Sequence, residues 1–511
     1  MTGETLDNIL RRQARERGDR IALRCGDETV TYAELDLRAC RIANGLRAAG
    51  VMPGDRVCWL GKNSLSYFQY LAGSVKAGAV MVPVNWRLAP PEVAYIVGDA
   101  RAKFLIAEPE FESTARAAGG PEPLLAAVGG APSPFSAWRD AQSGTDPQVH
   151  HEWTGGVLQM YTSGTTGRPK GAVLTHRSLF GLRAAMKPAE TPAWYPWHAT
   201  DVSLIAMPVA HVSGTCWGIW TLQHGATGVI TREFDPHAVL GLLVEHRINR
   251  LMMVPTALQI AVRHPKARET DFSFLKYICY GGAPMPVALL SECMEVFGCG
   301  FVQMYGMTET SGTIVALEPQ DHDPSRPELL RSVGRALPGV ELRIVDDAGR
   351  PLPPGETGEI STRSLCNMAH YFNRPEATAE TIDADGWLRT GDAGYLDAQG
   401  YLFLRDRVKD MIITGGENVY PAEVENAIFG HPDVAEVAVI GVPDPKWGEA
   451  VKAVVVPKPG APEDAASIIA WARERIAAYK APKSVDFVAA LPRNATGKVL
   501  RRELRARHRQ G

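Results

Sequence analysis

The sequence predicts an α/β protein with a large N-terminal domain of fused α/β subdomains, a small β-barrel-like part within it, and a small α+β domain at the C-terminal end. At 511 residues the chain exceeds what one hydrophobic core supports and suits one large and one smaller domain. Residues 5–110 alternate helical and strand patterns, the rhythm of a parallel sheet covered by helices. From about 335 to 405 the texture changes to strands and turns, and a compact α+β unit follows Arg407. The expected domains are therefore 1–406, with its β-rich part at about 335–405, and 407–511, joined at about Asp406–Lys409.

The run from Tyr32 carries apolar residues at Leu35, Ala39, Ile42, Ala43 and Leu46, a helical spacing that Gly50 ends. Residues 56–60 read as a short strand, 67–77 as an amphipathic helix and 80–84 as a second strand. The rhythm returns at 201–207, 229–230 and 250–254 without an internal repeat. In the β-rich part, strand 342–345 leads into Asp346-Asp-Ala-Gly349, and Asp397-Ala-Gln-Gly400 leads into strand 401–404; both turns suit hairpins. Pro421 suits the first position of a helix ending near Gly430. Strands near 434–440 and 451–456, a loop at 457–462 and a helix near 465–477 complete the small domain.

Apolar residues make up 45% and charged residues 22%, an ordinary globular balance. A net charge of −3 argues against nucleic acid as a partner, since phosphate backbones call for a basic surface. No apolar run is long enough to span a bilayer. The start, Met-Thr-Gly-Glu-Thr-Leu-Asp-Asn, is acidic and lacks the apolar stretch of a secretory signal. Eight cysteines without a Cys-x-x-Cys pair read as scattered small hydrophobes of a reducing compartment. A cytoplasmic protein with no integral membrane segment is expected.

Tyr161-Thr-Ser-Gly-Thr-Thr-Gly-Arg-Pro-Lys-Gly171 packs glycines, hydroxyls and one lysine into a short loop that can wrap a polyphosphate. It is not the Walker pattern, in which the lysine directly follows the second glycine and a helix begins. Here Arg168 and Pro169 intervene, and residues 171–175 read as a strand, so no helix N-terminus meets the phosphates. By itself the stretch is open between a phosphate loop and an ordinary Gly/Thr-rich turn.

Four further motifs follow in order: Tyr305-Gly-Met-Thr-Glu309, Leu388-Arg-Thr-Gly-Asp392, Arg405-Asp-Arg-Val-Lys-Asp410 and Pro492-Arg-Asn-Ala-Thr-Gly-Lys498. With the loop they resemble the adenylate-forming superfamily of acyl-CoA synthetases, carrier-protein adenylation domains and beetle luciferases, over about residues 6–504. The acyl-CoA synthetase, or fatty-acid–CoA ligase, type is the nearest in pattern. The resemblance implies that a carboxylate attacks the α-phosphate of ATP and expels pyrophosphate, after which the thiol of coenzyme A displaces AMP. An anionic nucleophile must then approach a polyanion, and two unit charges about 4 Å apart repel by roughly 4 kcal/mol at an effective dielectric near 20. Positioned cations and donors are needed more than a protein nucleophile.

The resemblance assigns Thr162, Ser163, Gly164, Thr165, Thr166, Gly167 and Lys170 to the β- and γ-phosphates, Thr308 to the α-phosphate and Glu309 to a Mg²⁺ ion. Alone, Glu309 would read as a solvated loop charge. Gly281, Gly282, Ala283 and Pro284 look like the strip against which adenine lies, with Tyr305 on its other face. A turn capping the strand 277–280 is an equal reading of that strip. Asp392 and Arg407 would hold the ribose, although an isolated Gly-Asp is usually a turn.

Lys498 would bridge the acyl carboxylate and the α-phosphate, whereas the same lysine without its motif is only a surface charge. Lys409 matches the hinge on which a mobile small domain turns between half-reactions. Gly415, Gly416, Glu417, Asn418 and Trp447 would face coenzyme A, the glycines allowing a pantetheine arm to approach. His211 matches an aromatic or His position bordering the acyl site, against the alternative of a satisfied core histidine. With Ser213, Trp217, Gly282, Met307, Ser311 and Gly312 it outlines an acyl pocket with no arginine or lysine evident. That favours a monocarboxylic aliphatic, aromatic or alicyclic acid. Trp217 is open between a pocket wall and a core residue of its helix.

His370 stands where relatives commonly carry glycine, and the segment after Lys409 lacks the extra lysines of plant coumarate-type ligases. Expected partners are a carboxylic acid, ATP and coenzyme A, with a homodimer left open. The alternatives are a stand-alone enzyme loading a carrier protein and a nucleotide-binding sensor without turnover. The C-terminal Arg-Gln-Gly is no peroxisomal signal, which sets the luciferase type aside, and no Gly-x-Ser-x-Gly elbow supports an ester hydrolase.

Overall fold

A computed structural model of the chain describes residues 3–127, 129, 131–162, 168–407, 410–414, 417–493 and 499–508, with 406, 407, 413, 417, 418 and 508 described by backbone alone. Two large sheets dominate. The nine-stranded sheet runs Arg335–Ala336, Gly312–Leu317, Gly300–Met307, Tyr277–Gly281, Arg250–Met253, Val202–Ile205, Thr227–Ile230, Ile21–Cys25, Glu28–Thr31. Its middle strands are parallel and only its edges pair antiparallel. The seven-stranded sheet runs His370–Tyr371, Lys170–Thr175, Gly156–Thr162, Val80–Val84, Arg56–Leu60, Phe104–Ala107, Leu124–Leu125. These are the alternating elements the N-terminal pattern predicts.

The helix Tyr32–Ala48 starts on a capping box between Thr31 and Glu34 and buries the predicted Leu35, Ala39, Ile42, Ala43 and Leu46. The next helix departs from expectation. Leu65–Lys76 is not amphipathic; 11 of its 12 residues are buried, because it lies between the two large sheets' shared core residues and not on an outer face. Even Lys76 is 0% exposed, held by Asp36 at 2.9 Å and Asp146 at 2.8 Å; an unpaired charge there would be prohibitive.

A four-stranded antiparallel sheet, Glu341–Val345, Gly358–Arg363, Leu388–Leu396 and Leu402–Arg407, forms the β-rich part. The Asp397–Gly400 turn makes the expected hairpin. The Asp346–Gly349 turn makes a shorter one, a single antiparallel bridge from Val345 to Pro351 with backbone hydrogen bonds from Asp346 to Arg350 and from Leu352 to Ile344, and Glu341–Val345 takes Gly358–Arg363 as its full partner strand. Prolines at 351, 353 and 354 remove the N–H groups that a continuing strand would need. Beyond Arg407 the next strand, Ile412–Thr414, belongs to a separate five-stranded sheet with its own apolar cluster. We keep the join proposed at Asp406–Lys409. The helix Pro421–Phe429 has its proline at the start and Gly430 at its end, as predicted. The strands Val434–Asp444 and Gly448–Pro457 run longer than expected, and the helix Ala465–Arg473 ends earlier.

Candidate active site

Described residues of three motif segments, Thr162, Tyr305, Glu309 and Asp392, meet where three sheets come together. Thr162 ends a strand of the seven-stranded sheet, and its hydroxyl donates to Glu309 Oε1 at 3.0 Å. Glu309 sits in a short 3₁₀ turn at the end of the nine-stranded sheet's Gly300–Met307 strand. Tyr371, on the edge of the seven-stranded sheet, donates to the same oxygen at 2.7 Å. The Lys170 ammonium stands 5.2 Å from the Tyr371 ring centroid, a cation–π distance. Burial and the Glu309 carboxylate push the Tyr371 hydroxyl up, so it remains a donor. Tyr371 is the residue that sequence reading passed over; its only signal was its place beside the unusual His370.

Both ends of the glycine-rich loop are tied to the helix Pro90–Asp99. Tyr161 donates to Asp99 Oδ2 at 2.7 Å, and Tyr95 donates to the Pro169 carbonyl at 3.0 Å. Arg374 joins them, 2.6 Å from Asp99 and 3.3 Å from the Tyr95 hydroxyl. Ser163, Gly164, Thr165, Thr166 and Gly167 lie outside the described residues. Thr308 is nearly buried at the head of the 3₁₀ turn.

On the proposed nucleotide side, Tyr305 donates to Asp392 Oδ2 at 2.9 Å, joining the nine-stranded sheet to the four-stranded one. Asp392 pairs in register with Arg407, whose side chain is not described. Glycine is required at 281, where a Cβ would stand 2.1 Å from the Met304 carbonyl oxygen. Gly282 follows with φ +77°, a left-handed backbone that favours glycine. Ala283, Pro284 and Thr256 of the body border a cavity of about 120 Å³ shared with Glu436 and Arg493 of the C-terminal unit.

Below the 3₁₀ turn lies a narrow cavity of about 20 Å³. Trp217 and Ser311 line it, and His211, Ser213, Gly282, Met307 and Gly312 do not. His211 instead caps the helix Val212–Gln223, its Nδ1 3.0 Å from the Ser213 hydroxyl. The expectation that no arginine borders the acyl pocket does not hold for this cavity. Arg183, in the last turn of the helix His176–Ala185, and Arg250, which opens a strand, both border it. Their chain positions carry no sign of this, because the wall is assembled from distant segments.

Trp217 is 4% exposed, belongs to the main core cluster and also lines the cavity. Trp217→Ala is expected to lower stability by about 3–5 kcal/mol. It should also raise kcat/KM for bulky acids relative to slim ones, with roughly 1–3 kcal/mol at stake per methylene accommodated. The ratio of kcat/KM values for two such acids, with Tm measured alongside, checks this. An unchanged ratio with a lowered Tm would leave Trp217 as core alone.

Lys498, Lys409, Gly415 and Gly416 lie outside the described residues, and Glu417 and Asn418 are described by backbone alone. Trp447 is 43% exposed in the turn between Val434–Asp444 and Gly448–Pro457. The pairing of Thr414 with Gly448 sets that turn beside the end of Ile412–Thr414.

Glu309 fits a metal ligand. Its Oε1 is fixed by two donors, and its Oε2 makes no hydrogen bond to a described residue. Among the described residues, clusters of metal-ligating side chains occur at Asp7, His151 and His176 and at Asp36, Cys40 and Asp146; neither includes Glu309. A Mg²⁺ there would take one carboxylate from the chain and its other ligands from phosphate and water, a usual arrangement for that ion.

Comparisons with known proteins match nearly the whole chain. The AMP-binding enzyme family model matches residues 10–372, and the AMP-binding enzyme C-terminal domain model matches 423–498. A fatty acid–acyl-carrier-protein ligase, ScoC of Streptomyces coeruleorubidus, is 42% identical over 95% of this chain and 93% of its own. A feruloyl-CoA synthase of an Amycolatopsis species is 41% identical over 97% of both chains. Among solved structures, ATP-bound MatB from Rhodopseudomonas palustris superposes with a TM-score of 0.88 at 32% identity, over 99% of both chains.

Proposed function

Because the chain belongs to the AMP-binding enzymes, within the adenylate-forming acyl-CoA synthetase family, we propose that it activates a monocarboxylic acid with an aliphatic, aromatic or alicyclic body. The chain is an ATP-dependent acid–CoA ligase. The observation that carries the assignment of the centre is the junction at Glu309, where Thr162, from the phosphate-loop hairpin, and Tyr371 hold one carboxylate oxygen beside Thr308.

The first step forms a bond between an acid oxygen and the α-phosphorus and breaks the bond to pyrophosphate. In the second, the thiol sulfur bonds to the acyl carbon, its proton is lost, and AMP departs. Lys170 and the loop hydroxyls would hold the β- and γ-phosphates, Thr308 the α-phosphate, and Lys498 both reacting anions. Tyr371 and Thr162 would aim Glu309 at the phosphates. Mg²⁺, when bound, supplies positive charge to the phosphate oxygens. Tyr305 and Asp392, already hydrogen-bonded to each other, would place the adenosine.

One observation favours a second acceptor: ScoC is named for a carrier protein. Release of AMP from ATP across a panel of acids, with coenzyme A or a phosphopantetheinylated carrier protein as acceptor, tests both. Thioester formation on coenzyme A is expected; thioester on the carrier alone would favour the second reading, and no AMP from any acid would refute both.

A further inference from the structure

Resting on the reading of this chain as an acid-activating enzyme, we propose that its acyl pocket selects an aromatic or alicyclic acid whose far end carries an oxygen acceptor. Arg183, Trp194, Trp217 and Ser311 are the residues that would bind that oxygen. All four line the cavity below the Glu309 turn. The Trp194 and Trp217 indole nitrogens and the Ser311 hydroxyl are buried and have no hydrogen-bond partner among the described residues, in residues only 3%, 4% and 5% exposed. An indole N–H can only donate, so neighbouring donors cannot satisfy it. Leaving one such group buried and unpaired is costly, and three of them share one cavity wall.

Arg250 also borders the cavity, but its charge is paired with Asp201 at 2.8 Å and each of its three nitrogens already donates, the other two to the Trp194 and Pro196 carbonyls at 2.9 and 2.6 Å. Arg183 is different. Its guanidinium donates to His224 Nε2 at 3.1 Å and lies over the Tyr195 and Trp220 rings at 4.4 and 4.8 Å. His224 gives its other ring nitrogen's proton to the Trp220 carbonyl at 2.8 Å, and burial with the Arg183 charge pushes its pKa down to about 3. It is therefore neutral and adds no negative charge. Among the described residues no carboxylate pairs with Arg183.

The wall thus offers two indole N–H donors, the Ser311 hydroxyl and one cation without a paired carboxylate among the described residues, a set that an oxygen carrying lone pairs or negative charge complements. The Trp197, Trp217 and Trp220 rings supply flat apolar faces for the acid's body. About 20 Å³ is room for a single water, so a ring-bearing acid must part these side chains as it enters.

The test compares kcat/KM for pyrophosphate release with phenylpropanoate and its para-hydroxy, para-methoxy and para-carboxy derivatives, which share one skeleton. At least one oxygenated acid should exceed the parent by roughly tenfold or more. Arg183→Met and Ser311→Ala should each shrink that ratio by roughly threefold or more, mainly through KM. Ser311→Ala deletes one atom and keeps the test informative if Arg183→Met fails to fold, which Tm reports. Equal kcat/KM for all four acids in the wild type, or a ratio unmoved in both variants, overturns the proposal and leaves a bound water as the donors' partner. AMP released from all four acids at one efficiency, or from none of them while an aliphatic acid yields AMP, would sink this proposal alone; AMP from no acid at all would sink the acid-activating reading with it.

Discussion

Replacing Lys498 by alanine is expected to abolish acyl-adenylate formation while sparing thioester formation from a supplied acyl-adenylate. The step brings a carboxylate to a polyphosphate, and the repulsion of roughly 4 kcal/mol estimated for a 4 Å approach corresponds to about a thousandfold in rate. One cation touching both anions offsets that term, and a lysine in Asn-Ala-Thr-Gly-Lys498 is the residue the family pattern supplies for it. Once the adenylate exists the carboxylate charge is gone, and the second step no longer needs the lysine. The measurement gives the variant synthetic acyl-AMP and coenzyme A in one arm, and acid with ATP in the other. Equal losses in both arms would show that Lys498 supports the fold or both steps, not the charge problem of the first.

Glu309→Gln should cost roughly a hundredfold or more in the same first step, a usual scale for losing one preorganised electrostatic partner. Glutamine keeps a carbonyl oxygen for the Thr162 and Tyr371 hydroxyls, which now donate to Glu309 Oε1 at 3.0 and 2.7 Å. What it removes is the negative charge and the second carboxylate oxygen. Tm should therefore hold within a few degrees, and the Mg²⁺ concentration needed for ATP binding should rise. If ATP binding keeps its Mg²⁺ dependence while Tm falls, Glu309 is a structural tie between sheets and the metal lies elsewhere.

Some of the residues that meet at the candidate site were legible because they lie in short contiguous motifs. Tyr305, Thr308 and Glu309 lie within five residues, and Tyr305 donates to Asp392, a residue of the next motif. The helix Pro421–Phe429 was legible for a similar local reason, a proline at its start and a glycine at its end. Tyr371 was not legible, since its role comes from standing 2.7 Å from a residue 62 positions away. The cavity wall was missed on the same ground. Arg183, Trp194 and Arg250 come from a helix end, a loop and a strand start, and nothing in their spacing brings them to one space. The helix Leu65–Lys76 misled because its serines, glutamine and lysine imitate a polar face. In place, Ser74 donates to the Tyr70 carbonyl at 2.7 Å and Lys76 is ion-paired, so polar groups are buried at little net cost.

The most direct measurement is acid-dependent exchange of labelled pyrophosphate into ATP in the absence of coenzyme A. A chain that forms an acyl-adenylate before it meets any thiol must catalyse that exchange, with Mg²⁺ required and AMP, not ADP, as the nucleotide product once coenzyme A is added. Exchange that appears only when coenzyme A is present, or turnover that yields ADP, would contradict adenylation as the first step.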